Sequence, residues 1–542
     1  MGGRIALLAL GTLVAVPAQA SSDKRDFEAC DGRVHPGRQD DGMRGEAGTG
    51  RFTSLFQRKG DIGACTRALA SPRLLPTQTL RRAHLLRARA SAYLGIGDIA
   101  KAVADIDAAE AATANLANDR FYQRSMAVSL KLLRALALAQ SDDMPGAVRL
   151  AREAGAARPY SLQIQRAAAT IVQAARPMRD ASPSPWLSAA RLDPQAEATA
   201  ISKEAEIGNF AGVLALRPNV TVNWPGEPLK PIGLVAPDSD TVRLLSAMLI
   251  TLHTAYARAA TGDAAGARRD LAEVRKHMAA ARPAPVEGAL AQLASQPTTM
   301  LDRYVETRSR QIEARIAVAE ARSADAIGAL VGAQLPYDAA TIELLTALRA
   351  AVPVKDAGLV PDVAPFEKQL RENRLKELAG IAPSTLIAPE TPRAVIDYER
   401  ARPNILGALV GGALSMGTSL LGGIGRTDGF RTIANPDGTT KVEFIGNTPS
   451  AALVQEMTLL RAAEVTRAAG KPAFVIVERK DFSRRMTTTQ YGVEISSRPT
   501  GFKTELTIRY VDAGADPQRA LDAVAIIDAL GPLYYEEKQT TS

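Results

Sequence analysis

Aromatic residues are scarce in this chain. Phe, Trp and Tyr make up 4% of its 542 residues, whereas hydrophobic residues as a whole reach 46%. The apolar material is therefore mostly Ala and Leu, which favours close-packed helices over a β-sandwich. Charge of one sign is scarce too: 66 Lys and Arg against 58 Asp and Glu leave +8. The basic residues are spread out, so no nucleic-acid partner is indicated. The four histidines, His35, His84, His253 and His277, form no HxxxH or HExxH pair, and there is no CxxC. A GxxxxGK phosphate loop and a Gly-x-Ser-x-Gly elbow are also missing. Acidic residues are scattered without a paired-carboxylate arrangement. These gaps point away from an enzyme, and no catalytic residue, cofactor-binding residue, cofactor or metal ligand is assigned.

The N-terminus carries the first positive signal. Arg4 precedes a short apolar run from Ile5 to Val16, and Pro17 leads into Ala18-Gln19-Ala20. This is the layout of a secretory signal peptide cut between Ala20 and Ser21. The run is shorter than the roughly 20 residues of a spanning helix; an uncleaved anchor is the alternative. Ser21, not Cys, stands directly after the cut, so a lipoprotein signal is not expected. The chain is accordingly expected in the periplasm or cell envelope. In that oxidising setting its two cysteines, Cys30 and Cys65, are expected to form one disulfide, a pair of buried thiols being the alternative. The bridge would close a loop of about 36 residues and stabilise by roughly 4 kcal/mol in the chain-entropy picture.

A spacing recurs along the first two thirds of the chain. Ala90 and Tyr93 share a helix face, Gly97-Asp98 breaks the helix, and Ala102, Ile106 and Ala109 share a face on a second helix. The spacing returns at Ala135, Leu138, Asp142, Ala147, Ala151, Ala154 and Pro159, and again at Ala255, Arg258, Gly262, Ala267, Leu271 and Val274. Weaker copies run through Ala314, Ala317, Ala326 and Leu330, and through Gly60-Asp61-Ile62 with Cys65 and Leu69. These hairpins resemble tetratricopeptide repeats. Arg258 departs from that pattern, standing where a large apolar residue is usual, and the interval from Ala102 to Ala147 exceeds one repeat. An irregular α-solenoid is the plainer alternative. The N-terminal stretch, with Cys30 and Cys65 flanking the approach to the first repeat, is similar to exported alphaproteobacterial repeat proteins, a resemblance that supports the disulfide.

A stack of such hairpins presents a concave surface that takes peptides or other domains. The repeat alignment places His84, Arg87, Ser91 and Tyr256 on that surface as candidate partner-binding residues; an ordinary solvated face is the bland reading of each. The arginine group Arg81, Arg82, Arg87 and Arg89 reads mainly as a solvated face, with an acidic partner as the sharper alternative.

Pro-rich breaks at residues 177–185, 218–237, 283–285 and 353–365 divide the helical part, and the second contains an alternating run, Val220-Thr221-Val222-Asn223-Trp224, that suits a short strand. Residues 405–424, from Ile405 to Ile424, carry no charge and six glycines. Their length suits a membrane span and Gly407 and Gly411 make a GxxxG pair, but so many glycines make a poor helix. A flexible apolar linker is the preferred reading, and membrane contact through this segment the alternative.

After Gly429 the pattern changes. Phe430 to Thr432 and Lys441 to Ile445 read as strands joined through Asn435-Pro436-Asp437-Gly438. Residues 450–469 have helical spacing, Ala473 to Val477 and Glu505 to Val511 read as strands, an extra strand is placed near Tyr491 to Ile495, and Pro517 is expected to open a last helix through Leu530. The order β-β-α-β-β-α describes an antiparallel sheet with helices on one face. The stretch Val442-Glu443-Phe444-Ile445-Gly446-Asn447, with Leu459-Leu460-Arg461-Ala462-Ala463-Glu464 and Ala473-Phe474-Val475-Ile476-Val477, resembles a small domain of alphaproteobacterial envelope lipoproteins. That likeness implies an envelope location and no defined chemistry. Arg461 and Glu464 are expected to form an i,i+3 ion pair.

The expected fold is mainly α, a TPR-like α-solenoid of helical hairpins followed by a small α+β C-terminal domain. The expected divisions are a signal peptide (1–20), two helical blocks (21–175 and 176–380), a linker (381–428), the α+β domain (429–536) and a tail (537–542). The expected function is an exported envelope scaffold that binds protein partners through its solenoid. The alternative is a membrane-tethered structural or assembly factor using residues 405–424.

Overall fold

A computed structural model of the chain describes residues 23–38, 41, 43, 61–229, 239–282, 291–390, 429–446, 450–490 and 493–535. The expected signal segment and residues 405–424 lie outside the described residues. No helix among those described is long and apolar enough to cross a membrane.

The helical part is a stack of antiparallel hairpins. α1 (Asp23–Asp31) pairs with α2 (Ile62–Ala70), α3 (Thr79–Ile96) with α4 (Ile99–Ala112), and α5 (Val128–Gln140) with α6 (Met144–Ala157). α7 (Leu162–Ala175) packs on α6. After the short α8 (Leu187–Leu192), α9 (Gln195–Glu206) pairs with α10 (Phe210–Leu216), α11 (Ser239–Ala260) with α12 (Ala264–Ala280), and α13 (Ala291–Ala319) with α14 (Ser323–Leu330). α15 (Ala339–Ala351) lies on α13 and reaches back to α9. α16 (Ala364–Gly380) then crosses α3, α5 and α7.

The recurrent spacing has a local cause. Gly97 takes φ +80 and Gly262 φ +92, left-handed values that end the preceding helix at little cost for glycine alone. The next residue caps the following helix: Asp98 accepts from the Lys101 N–H and Asp263 from the Gly266 N–H. Asp143 does the same for α6. Ala90, Ala102, Ala135, Ala147, Ala255 and Ala267 are all fully buried where paired helices meet, so the small side chains do bring the helices close. Arg258, the departure from the pattern, pairs instead with Asp263 and Asp270 at 3.2 and 3.1 Å. The long interval between the first two copies is filled by a 3-10 turn (Ala114–Leu116), one helical turn (Arg120–Tyr122) and a π-helical turn (Gln123–Ala127) ahead of α5.

The C-terminal domain is a five-stranded antiparallel sheet of order β1-β2-β4-β3-β5. Its strands are β1 (Gly429–Ala434), β2 (Thr440–Gly446), β3 (Ala473–Gln490), β4 (Val493–Val511) and β5 (Leu521–Asp522). α17 (Ala451–Ala468) covers one face and α18 (Ala523–Tyr534) packs on α17. Val442, Phe444, Phe474, Leu506 and Ile508 point into that core. Lys441, Glu443, Lys503 and Glu505 form a cross-strand ion ladder. The apolar core of the second helical block is continuous with that of this domain.

Three expectations need correction. β3 and β4 are 18 and 19 residues long, so the strands read from sequence are only parts of one extended hairpin, and the piece near Tyr491 to Ile495 belongs to β4 from Val493 onward. The last helix starts at Ala523 rather than at Pro517, because residues 521–522 pair with Ala473 and Phe474 as a strand and Asp522 caps the helix through the Ala525 N–H. Residues 220–224 join no sheet; Val220, Val222 and Trp224 pack on the helical core, and Trp224 stacks on His277 at 4.4 Å.

Candidate functional site

The inner face of the first helical block is covered by the chain itself. Beyond α16, residues 381–390 run along α3, α5 and α7, and Leu378, Ala382, Leu386 and Ile387 belong to the apolar core of that block. The inner helices hold this segment largely by its main chain. Gln163 Nε2 donates to the Ser384 carbonyl at 2.5 Å and to Leu386 O at 3.3 Å. Ser129 Oγ donates to Thr385 O, and Arg87 Nη2 to Ile387 O, both at 2.6 Å. The Glu390 N–H donates to Ser125 Oγ at 3.2 Å. Residues 382–385 form a 3-10 turn and Leu386 leaves it with extended backbone, so these contacts read main-chain carbonyls at the end of the turn and just beyond it, and the apolar surroundings of Leu386 and Ile387 add side-chain selectivity.

At its far end the segment enters a closed set of charges. Glu390 Oε2 lies 2.7 Å from Arg124 Nε, and its Oε1 lies 2.6 Å from Arg158 Nη2. The same two guanidinium groups face Glu456 on α17, Arg158 Nε at 2.7 Å and Arg124 through Nη2. Tyr534 on α18 donates to Glu456 at 2.7 Å. Burial works against every ion here, but the alternating charges outweigh it for the arginines, which stay firmly protonated. Glu456 is likewise buried, yet Arg124, Arg158 and the Tyr534 hydroxyl hold it down to about 2. Burial lifts Glu390 above the usual carboxylate range despite the same two arginines. The π-helical turn carries both Arg124 and Ser125, so the extra residues between repeats contact the segment at Glu390.

Beneath Ile387 lies a second buried cluster. Arg81 pairs with Asp31 of α1 at 3.0 Å and also donates to Val34 O at 3.0 Å. Arg87 Nη2 contacts His84 Nδ1 at 2.8 Å. Burial and the neighbouring Arg87, Arg33 and Arg81 push His84 well below its ordinary value, so its imidazole is neutral and accepts from Arg87. Burial and Arg33 lower Arg87 to about 9. The Nε and Nη1 atoms of Arg87 make no hydrogen bond.

The residues expected on an open inner face are therefore enclosed: His84 is 3% exposed, Arg87 0%, Ser91 2% and Tyr256 4%. Arg87 does point at a bound extended segment, but that segment is this chain's own. Tyr256 lies in the second block, where its hydroxyl donates to Ala340 O at 2.5 Å and to Glu343 at 2.7 Å, and its ring packs on Phe210. The solvated reading of the arginine group is also overturned, since Arg81 is as buried as Arg87 and Arg89 is tied to Asp105 at 2.7 Å. Cys30 and Cys65 form the expected disulfide, which joins α1 to α2. Arg461 and Glu464 form the expected ion pair at 2.9 Å.

Among the described residues, two clefts outside the groove border the C-terminal domain. One of about 860 Å³ opens between α6, α7 and the start of α18, near Tyr160 and Asp522. The other, of about 930 Å³, opens between α9, α11 and the sheet, near Val477 and Arg509. Ion pairs within the chain engage Arg176 in the first and Arg166 and Arg519 in the second. Among the described residues, no group of three or more His, Cys, Asp or Glu is placed to hold a metal ion. No family model, curated protein or solved structure matches the chain.

Proposed function

We propose that this protein is an exported scaffold of the cell envelope that holds a protein partner in the inner groove of its first helical block. One observation carries the reading: helices α3, α5 and α7 present Arg87, Ser129 and Gln163 to the carbonyls of Ile387, Thr385 and Ser384, where a short 3-10 turn (Ala382–Thr385) runs out into residues 386–390. A surface that reads main-chain carbonyls suits a peptide ligand better than a small metabolite. The signal-like N-terminus and the Cys30–Cys65 bridge favour the oxidising envelope as its location.

Site-specific photo-cross-linking in intact cells tests this. A photoreactive residue replacing Gln163, in the groove, is expected to capture a discrete envelope protein. The same residue replacing Arg149, on the outer surface, is expected to capture none. Capture of only the chain's own residues 381–390 from the groove position, or recovery of the protein in the cytosolic fraction, would contradict the proposal.

A further inference from the structure

We infer that residues 381–390 are a resident ligand that an incoming partner replaces, and that the partner is an extended segment carrying a carboxylate three residues after an aliphatic pair. The inference deepens the scaffold reading and rests on it.

The requirement for an acid follows from the charge arrangement. Arg124 and Arg158 are buried and divide their contacts between Glu390 of the segment and Glu456 of the C-terminal domain. If the segment leaves, two buried guanidinium groups face one carboxylate. An occupant without an acid would leave one cation unneutralised in a dry site, which is strongly unfavourable. The replacement must therefore place a carboxylate where Glu390 stands. The spacing comes from the segment itself: Leu386 and Ile387 fill the apolar part of the groove, and Glu390 follows three positions after Ile387. The hydrogen bonds from Ser129, Gln163 and Arg87 go to the carbonyls of Thr385, Leu386 and Ile387, while the buried Ala382, Thr385 and Pro389 leave little room for larger side chains at those positions. Because Glu456 shares the same arginines, exchange at the groove is felt by α17 and the sheet.

The test uses the full-length oxidised protein and a fluorescent peptide copying residues 381–391, with a twin peptide carrying Glu390→Gln. The variant L386S/I387S weakens the resident segment while leaving every arginine in place. It is expected to bind the native peptide, and to bind the Gln twin at least about tenfold more weakly, a factor corresponding to about 1.4 kcal/mol. Adding Arg158→Ala is expected to remove most of that difference. Equal binding of the two peptides by L386S/I387S would overturn the acid requirement while leaving the scaffold reading to its own cross-linking test. Binding of neither peptide, with the circular dichroism spectrum and disulfide intact, would overturn exchange. A second copy's segment inserting instead would appear as a dimer by light scattering and would likewise overturn a separate partner. Should L386S/I387S not fold, the wild-type chain decides: excess native peptide, and not the twin, is expected to accelerate hydrogen exchange at residues 384–388, and no acceleration overturns the inference.

Discussion

Arg158 stands between two carboxylates from distant parts of the chain, with Glu390 2.6 Å from its Nη2 and Glu456 2.7 Å from its Nε. One side chain thus joins the groove segment to the C-terminal domain. Removing it as Arg158→Ala leaves two buried carboxylates against Arg124 alone. The expected cost is about 3–5 kcal/mol, read as a lower urea midpoint. The double variant Arg158→Ala with Glu390→Gln is expected to lose less than the sum of the single losses, because the second change removes the charge that the first strands. Strict additivity would contradict the shared network.

The nesting of hairpins through small side chains has a direct contrast in α4. Ala102 is fully buried against α3, whereas Ala104, two residues on, is exposed. Ala102→Leu is expected to cost about 1–3 kcal/mol by overpacking. Ala104→Leu should stay within about 0.5 kcal/mol of the parent. Urea melts of the two variants check this, and equal effects would contradict close helix approach at Ala102.

Asp31 and Arg87 sit in one buried cluster but differ in their pairing. Asp31 is the carboxylate facing Arg81, whereas two of the guanidinium nitrogens of Arg87 make no hydrogen bond. Asp31→Asn strands buried positive charge and is expected to cost about 3–5 kcal/mol. Arg87→Met forfeits the bond to Ile387 O but relieves charge crowding, and is expected to cost no more than about 1–2 kcal/mol. Thermal melts giving the reverse order would contradict this reading of the cluster.

The junction between α9 and the C-terminal domain has a pH dependence of definite sign. Burial lifts Glu197 from an ordinary 4.5 to about 7, against the pull of Arg519 at 3.0 Å. Between those values the folded chain keeps a proton that the unfolded chain has lost. This group's contribution to stability therefore falls as pH rises from 4.5 to 7. His84 and His253, held below their ordinary values by burial, act in the opposite direction, so the readout is the difference between proteins. Between pH 5 and pH 7.5 the urea midpoint of the wild type should shift downward relative to that of Glu197→Gln. An identical pH response in both would contradict a raised carboxyl at Glu197.

Much of the architecture was legible because it is local. The pairing of a helix-ending glycine with a capping aspartate at Gly97-Asp98, and the buried alanines on either side, announce a hairpin within about thirty residues of chain. The disulfide was legible from an even pair of cysteines and the expectation of an oxidising compartment. The groove was not, because its contents come from far along the chain. Glu390 lies in a Pro-rich stretch that reads as linker, and nothing local connects it to Arg124, 266 positions earlier. Arg81 and Arg87 look like solvated surface by composition; the return of α16 and residues 381–390 across α3 encloses Arg87, and α1 with the residues that follow it encloses Arg81. The long β3–β4 hairpin was underread because its polar middle, with Arg484, Arg485 and three consecutive threonines at 487–489, breaks the apolar alternation that marks a strand.

Hydrogen exchange across residues 381–390 tests most directly whether the inner groove is filled by the chain's own segment. In the wild type, the Ser384, Leu386 and Glu390 amides are expected to exchange at least about a hundredfold more slowly than an unstructured chain, and Glu390→Gln should release this segment and the start of α17 together. Exchange of residues 384–390 at unprotected rates in the wild type, with α3, α5 and α7 still protected, would contradict it.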